Sequence, residues 1–324
     1  MSASPKMPAV ETSMSLRTWA MLGLLSLMWG CSFPFVKVAL GGVPPLTLVM
    51  LRVVIAVAAL TAVLFVSREG FPRGGRIWLA FLAIGALNNV VPWSLSFWAQ
   101  QSLTSSFAAI VNATTPLFSV LLAPLFLADE RLRANRLAGV LVGFAGVAVL
   151  IGPGALGHGA GGILPELALL AAAVAYAFGG IVGRSYAKLG LTPLQAAHGQ
   201  LAGSSIMITP MALIVEEPWR LPMPTGAQAA CVLALGLVST AVAFILFFRI
   251  LSRAGATNAL LVTLLVPVTA FIVGALFLGE PLEPRNFAGL AFIAAGLGLI
   301  DGRPLRHVRA RLFAPSGAAA RRLD

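Results

Sequence analysis

Leu82-Ala83-Ile84-Gly85 returns 151 residues later as Leu233-Ala234-Leu235-Gly236. The same offset carries Asn88-Asn89 onto Ser239-Thr240, Pro116 onto Pro267 and Phe126-Leu127 onto Phe277-Leu278. After a one-residue slip, Ala138-Gly139 matches Ala288-Gly289 and Ala145-Gly146 matches Ala295-Gly296, while Pro45-Leu46 resembles Pro193-Leu194. The chain therefore carries an internal repeat.

Composition says what medium the repeat lives in. Hydrophobic residues make up 59% of the chain, charged residues 10%, and the mean hydropathy is +0.94. Soluble chains run at about 45–50% apolar and about 25% charged, so most of this exterior must face lipid. A span needs about 20 mostly apolar residues. Ten segments qualify: 18–40, 46–66, 77–99, 106–127, 134–152, 163–183, 194–215, 227–248, 257–278 and 286–302. The organisation expected is a segment 1–17, a first five-helix repeat 18–152, a Gly-rich linker 153–162, a second repeat 163–302 and a basic tail 303–324. Residues 18–40 are expected as a retained first helix, because the apolar run is long and no A-x-A-like cleavage site follows it.

The net charge of +11 is a topology signal. With both ends inside, the cytoplasmic segments hold 18 of the 22 Lys and Arg residues. Arg220 and Arg285 fall outside, and Lys37 and Arg52 fall within spans. Such an asymmetry follows the positive-inside rule only for an even number of spans. Because each repeat holds five, the second must be inverted relative to the first. The fold expected is an all-α integral membrane protein of ten transmembrane helices, in two inverted five-helix repeats around a central cavity. Such repeats place a transported molecule at their interface, near the bilayer midplane.

The residues that follow resemble the EamA family of the drug/metabolite transporter superfamily. Trp29-Gly30-Cys31-Ser32-Phe33-Pro34-Phe35-Val36-Lys37 is similar to its first-helix motif, and Pro45 followed by Arg52 to its second. Ala108-Ala109-Ile110-Val111-Asn112, through Pro116-Leu117-Phe118 to Glu130, is similar to its fourth. Pro267, Glu280, Gly289 and Gly296 repeat that pattern. The sixth span departs, with Ala175-Tyr176-Ala177-Phe178 where the first has Trp29-Gly30. The resemblance implies a cavity lined by helices one to four and six to nine, and metabolite export at a cell (inner) membrane. Bacterial exporters of amino acids, including aromatic ones, look closest.

Uncompensated polar groups in hydrocarbon are costly, so mid-span polar residues mark the bundle interior. Asn88-Asn89 and Ser239-Thr240, at equivalent depths, either line the cavity or hydrogen-bond between helices. Asn112 and its counterpart Thr263 belong to the same group. Pro116 and Pro267 each remove a backbone donor at mid-span and read as paired hinges or static bends. Arg52 either binds a substrate carboxylate bidentately or ties down carbonyls at a helix end, the second being favoured. Lys37 is expected to snorkel. His198, beside Gln200, either couples protons or is hydrogen-bonded within the bundle, the latter favoured. Trp29, Trp93 and Tyr176 could stack on a substrate or pack the core. The glycines of spans five and ten read as close-packing faces.

A phosphorylated substrate would call for more cavity cations than Arg52 and Lys37. An intramembrane enzyme would need a motif such as H-E-x-x-H or G-x-S-x-G, or paired carboxylates, and none occurs. A channel would need a ring of charge or a filter segment. The function expected, with the resemblance supplying the direction and the substrate, is export of a small molecule by alternating access between the two inverted repeats, amino acids first. Nucleobases, sugars and amphipathic drugs are the alternatives within transport. No cofactor, metal or nucleic acid is expected, and membrane lipid is the expected surrounding.

Overall fold

Backbone N–H and C=O groups find no water in hydrocarbon, so a chain this apolar must satisfy them within each segment. The structure, a computed structural model, describes residues 16–127, 134–151, 163–259 and 262–301. These form ten helical rods, with no strand among the described residues. In chain order they are α1 Leu16–Ala39, α2 Pro45–Val66 and α3 Gly75–Ala99, then α4 in two halves, Ser105–Asn112 and Thr115–Phe126. Next come α5 Ala134–Ile151, α6 Leu164–Ala187 and α7 Pro193–Glu216. The series ends with α8, continuous through Gly226–Gly236, Leu237–Val242 and Ala243–Ala259, then α9 Val262–Leu278 and α10 Pro284–Asp301.

By length and composition, seven helices can cross a membrane: α1 to α6 and α8. The apolar stretches of α9 and α10 are shorter. α7 misses because Gln195, His198, Gln200 and Ser204 lower its hydropathy. The last three of these are buried against neighbouring helices and face no lipid. α8 runs to Ala259, past the end expected at 248. No proline or paired glycine interrupts residues 249–259, so nothing in the local sequence stops the helix.

Packing repeats with the sequence. α5 pairs with α10 and α2 with α7, so each helix of these pairs meets its own counterpart. α1 lies on α9 as α6 lies on α4, and α3 lies on α7 as α8 lies on α2. In the α5–α10 seam, a Cβ at Gly296 would sit 2.5 Å from the Gly139 carbonyl and one at Gly146 2.8 Å from that of Gly289. Only glycine permits this approach. Gly298 meets nothing within 4 Å and is not part of the seam.

Asn135 at the start of α5 bonds the Leu299 carbonyl near the end of α10, which marks the face holding the chain's ends, the terminal face. The opposite, far face is held by carboxylates at helix starts. Glu216, ending α7, accepts from the Leu46 and Thr47 N–H groups of α2 at 2.9 and 2.6 Å. Glu280, after α9, accepts from the Ser105 and Ser106 N–H groups of α4 at 2.7 and 3.1 Å. Anions at helix amino ends satisfy unpaired donors and oppose the helix dipole. On the terminal face, Thr192, which caps α7, donates to Glu69 beyond α2, so α2 and α7 are tied at both ends.

The core joins the two repeats through the depth of the bundle. Leu48, Val53 and Leu64 of α2 share one apolar cluster with Leu194, Leu201 and Ala212 of α7. A second holds Ile110, Leu117 and Leu150 with Phe271, Ile293 and Leu297. Smaller groups join Leu22 and Leu25 of α1 to Ile250 and Val266, and Phe81 and Ile84 of α3 to Ala196 of α7. The far half of α4 rests on α9, α1 and α6, and its terminal half on α6 and α5.

Candidate functional site

The repeated polar pairs sit in repeated distortions. Ala86–Val90 of α3 and Leu237–Val242 of α8 are single π turns at matching positions in the two repeats. A π turn closes i→i+5 bonds and strands a carbonyl that an α-helix would use. In α8 the Thr240 hydroxyl takes that role, donating to Leu235 O at 2.7 Å. In α3 the Ser204 hydroxyl of α7 lies 3.3 Å from Gly85 O. Pro92 contributes as well, because it has no N–H for the Asn88 carbonyl and its ring crowds it.

The polar residues of the π turns divide by environment. Asn89 is fully buried; its Nδ2 donates to Ser204 Oγ at 2.8 Å and its Oδ1 accepts from Gln200 Nε2 at 3.0 Å. Ser239 is fully buried and donates to Met28 O at 2.9 Å, joining α8 to α1. These residues join helices. Asn88 is half-buried and presses on α6, where a Cβ at Gly179 would fall 1.8 Å from its Oδ1.

Arg52 meets the α8 π turn. Its Nε donates to Thr240 Oγ1 at 2.7 Å, and Nη2 lies 3.5 Å from Ser239 O. The guanidinium carbon sits 3.8 Å from the centroid of the Trp93 ring and 5.9 Å from that of Phe97. The residue is 4% exposed, and no carboxylate among the described residues pairs with it. Tyr176 of α6 packs against the same apolar cluster that holds Trp93. The aromatic wall continues from Trp93 to Phe244 at 6.3 Å, and from there to Trp29 at 6.2 Å. Trp29, Tyr176, Asn112 and Thr263 are half-buried.

The remaining candidates lie elsewhere. His198 bonds Thr61 at 2.9 Å through Nε2 and meets the Phe71 ring edge-on, within the α2–α7 contact. Pro116 stands in the first turn of the second half of α4, where a proline costs no hydrogen bond. The helix is interrupted at Ala113 and Thr114, and Thr114 and Thr115 donate to Val111 O and Asn112 O. Pro267 lies inside an unbroken α9. Lys37 does not snorkel; it donates to Gln100 O at 2.7 Å and Leu103 O at 2.9 Å at the carboxyl end of α3. A cavity of about 510 Å³ opens at the far end, lined by Leu46, Ser94, Trp98 and Glu216 among others, away from the π turns. Glu130 lies outside the described residues.

Sequence reasoning missed Ser204 and Phe244. Each sits one helical turn after a residue it did single out, Gln200 and Thr240, and so on the same face. It also missed the capping role of Glu216.

A family model described as the EamA-like transporter family matches residues 17–152 and again 163–300. The chain belongs to the EamA-like transporter family. This EamA-like protein is 28% identical over 296 residues to a probable terminal-alkyne amino-acid exporter of Streptantibioticus cattleyicolor, covering 91% of this chain and 97% of that one. It is 28% identical over 284 residues to the uncharacterized inner membrane transporter YedA of Escherichia coli K12, with 85% and 88% covered. A solved crystal structure shares its fold with a TM-score of 0.63 at 22% identity, covering 88% of this chain and 98% of that one. Family membership makes it a membrane transporter for a small molecule.

Proposed function

We propose that this EamA-like protein exports small metabolites, amino acids first, by alternating access between the repeats 18–152 and 163–302. The observation that carries the reading is the pair of π turns at matching positions of the two repeats, Ala86–Val90 of α3 and Leu237–Val242 of α8, which hold Asn88-Asn89 and Ser239-Thr240. Trp29, Asn88, Asn112 and Tyr176 are half-exposed. Inverted repeats move a substrate by opening one side and closing the other around a site near the midplane.

The 18-to-2 division of Lys and Arg supports a cytoplasmic terminal face, in a cell (inner) membrane. Amino acids lead because one relative is named a probable amino-acid exporter. The aromatic wall of Trp29, Phe244 and Trp93 also suits an amphipathic drug, which is the second reading.

Counterflow in proteoliposomes tests this. Vesicles preloaded with unlabelled amino acid and diluted into trace radiolabelled amino acid should accumulate label transiently. Accumulation for amphipathic drugs alone would move the assignment to the second reading.

A further inference from the structure

We infer that Arg52 forms an anion site, and that the transported molecule therefore carries one carboxylate on an apolar or aromatic body. The inference rests on the transport reading above and specifies the substrate class of the same site.

A buried guanidinium without a counter-charge is costly in a membrane protein. Arg52 is 4% exposed, and its protein partners are one threonine hydroxyl, one carbonyl at 3.5 Å and an aromatic face. Nη1 has no hydrogen-bond partner among the described residues. A structural arginine would fasten several carbonyls at a helix end, as Lys37 does at the end of α3. Arg52 fastens none firmly. It lies seven residues inside α2, about 10 Å from the far end at 1.5 Å per residue, against a π turn at mid-depth.

A planar cation with unused N–H groups matches a carboxylate. Arg52 is the one cation in this part of the bundle among the described residues, so one negative group neutralises it and a polyphosphate would not be balanced. Trp93 and Phe244 are themselves buried, and Trp29, half-buried beside Phe244, offers the aromatic surface for the substrate body.

The test is thermal unfolding of the purified protein and of Arg52→Gln and Arg52→Lys, with L-phenylalanine, phenylacetate, L-phenylalaninamide and phenethylamine. Binding to the folded state raises its melting temperature with concentration. The carboxylates should raise the wild-type Tm by several degrees, and the amide and the amine should not. Arg52→Gln should lose that shift, and Arg52→Lys should need about tenfold more ligand, since a point charge lacks the fork. Without ligand, Arg52→Gln should melt no lower than wild type, because it removes an unbalanced charge. A ligand-free Tm several degrees below wild type makes Arg52 a structural tie and overturns the inference, whether or not a ligand is found. Equal stabilisation by phenylalanine and its amide overturns it too. If phenylacetate works and no amino acid does, the anion site stands and the amino-acid reading falls.

Discussion

Glu280 and Ser106, 174 residues apart in sequence, join the end of α9 to the start of α4 at the far face. The carboxylate accepts from both the amide at 3.1 Å and the hydroxyl at 2.5 Å. Gly274 leaves room for the contact, because a Cβ there would fall 2.7 Å from the Glu280 carboxylate and 2.9 Å from Ser106 Oγ. Lys37 lies in the same electrostatic cluster and holds the end of α3. An anion at one helix start and a cation at another helix end, both contributed from the α1–α9 side, clamp the α3–α4 connection.

Glu280→Gln should loosen that clamp. The cost should be about 1 kcal/mol, the low end for a charged hydrogen bond, because the carboxylate is only half-buried. Spin labels at Gln101 and Leu282, in a background with Cys31 and Cys231 replaced by serine, should report longer far-face distances in this variant. An unchanged distribution would show that the clamp does not hold this face.

Asn88 and Gly179 make a coupled pair. Gly179→Ala should lower transport by pushing Asn88 aside. Asn88→Ala should lower it by removing a mid-depth polar group. In the double variant the thermal stability lost by Gly179→Ala should return while transport stays low. Recovery of transport in the double variant would make Asn88 a packing residue.

Asn89→Ala should act on stability rather than recognition. Two interhelical bonds are lost, at about 0.6 kcal/mol each, so a loss of about 1 kcal/mol is expected. The substrate concentration for half-maximal counterflow should be unchanged. A several-fold rise in that concentration would bring Asn89 into the binding site.

His198→Gln should leave the pH dependence of transport as it is in wild type. The imidazole faces Thr61 and the edge of Phe71, with no carboxylate partner among its described contacts. A flattened pH profile measured in vesicles would contradict this placement.

The repeat was legible because equivalent residues keep equivalent local structure. The 151-residue offset that pairs Asn88-Asn89 with Ser239-Thr240 also pairs their π turns. Periodicity could not tell Asn88 from Asn89. Neighbours on a helix point about 100° apart, and which of them meets α7 and which meets α6 is fixed by packing. The Arg52–Thr240 contact spans 188 residues and likewise follows from how α2 lies on α8. Pro116 read as a mid-helix kink because the sequence did not reveal that Thr114 and Thr115 would take up the carbonyls of a broken turn. Lys37 looked like an exposed helix end, and only the fold of residues 100–103 gives it carbonyls.

The central claim is that the two faces open in turn around one mid-depth site. Spin-label distances across both faces test it most directly, with one pair at Gln101 and Leu282 on the far face and another at Leu16 and Leu125 on the terminal face. When a transported amino acid is added, part of the population should change both distances together, one pair shortening as the other lengthens. Distances that stay fixed, or that lengthen on both faces at once, would contradict alternating access.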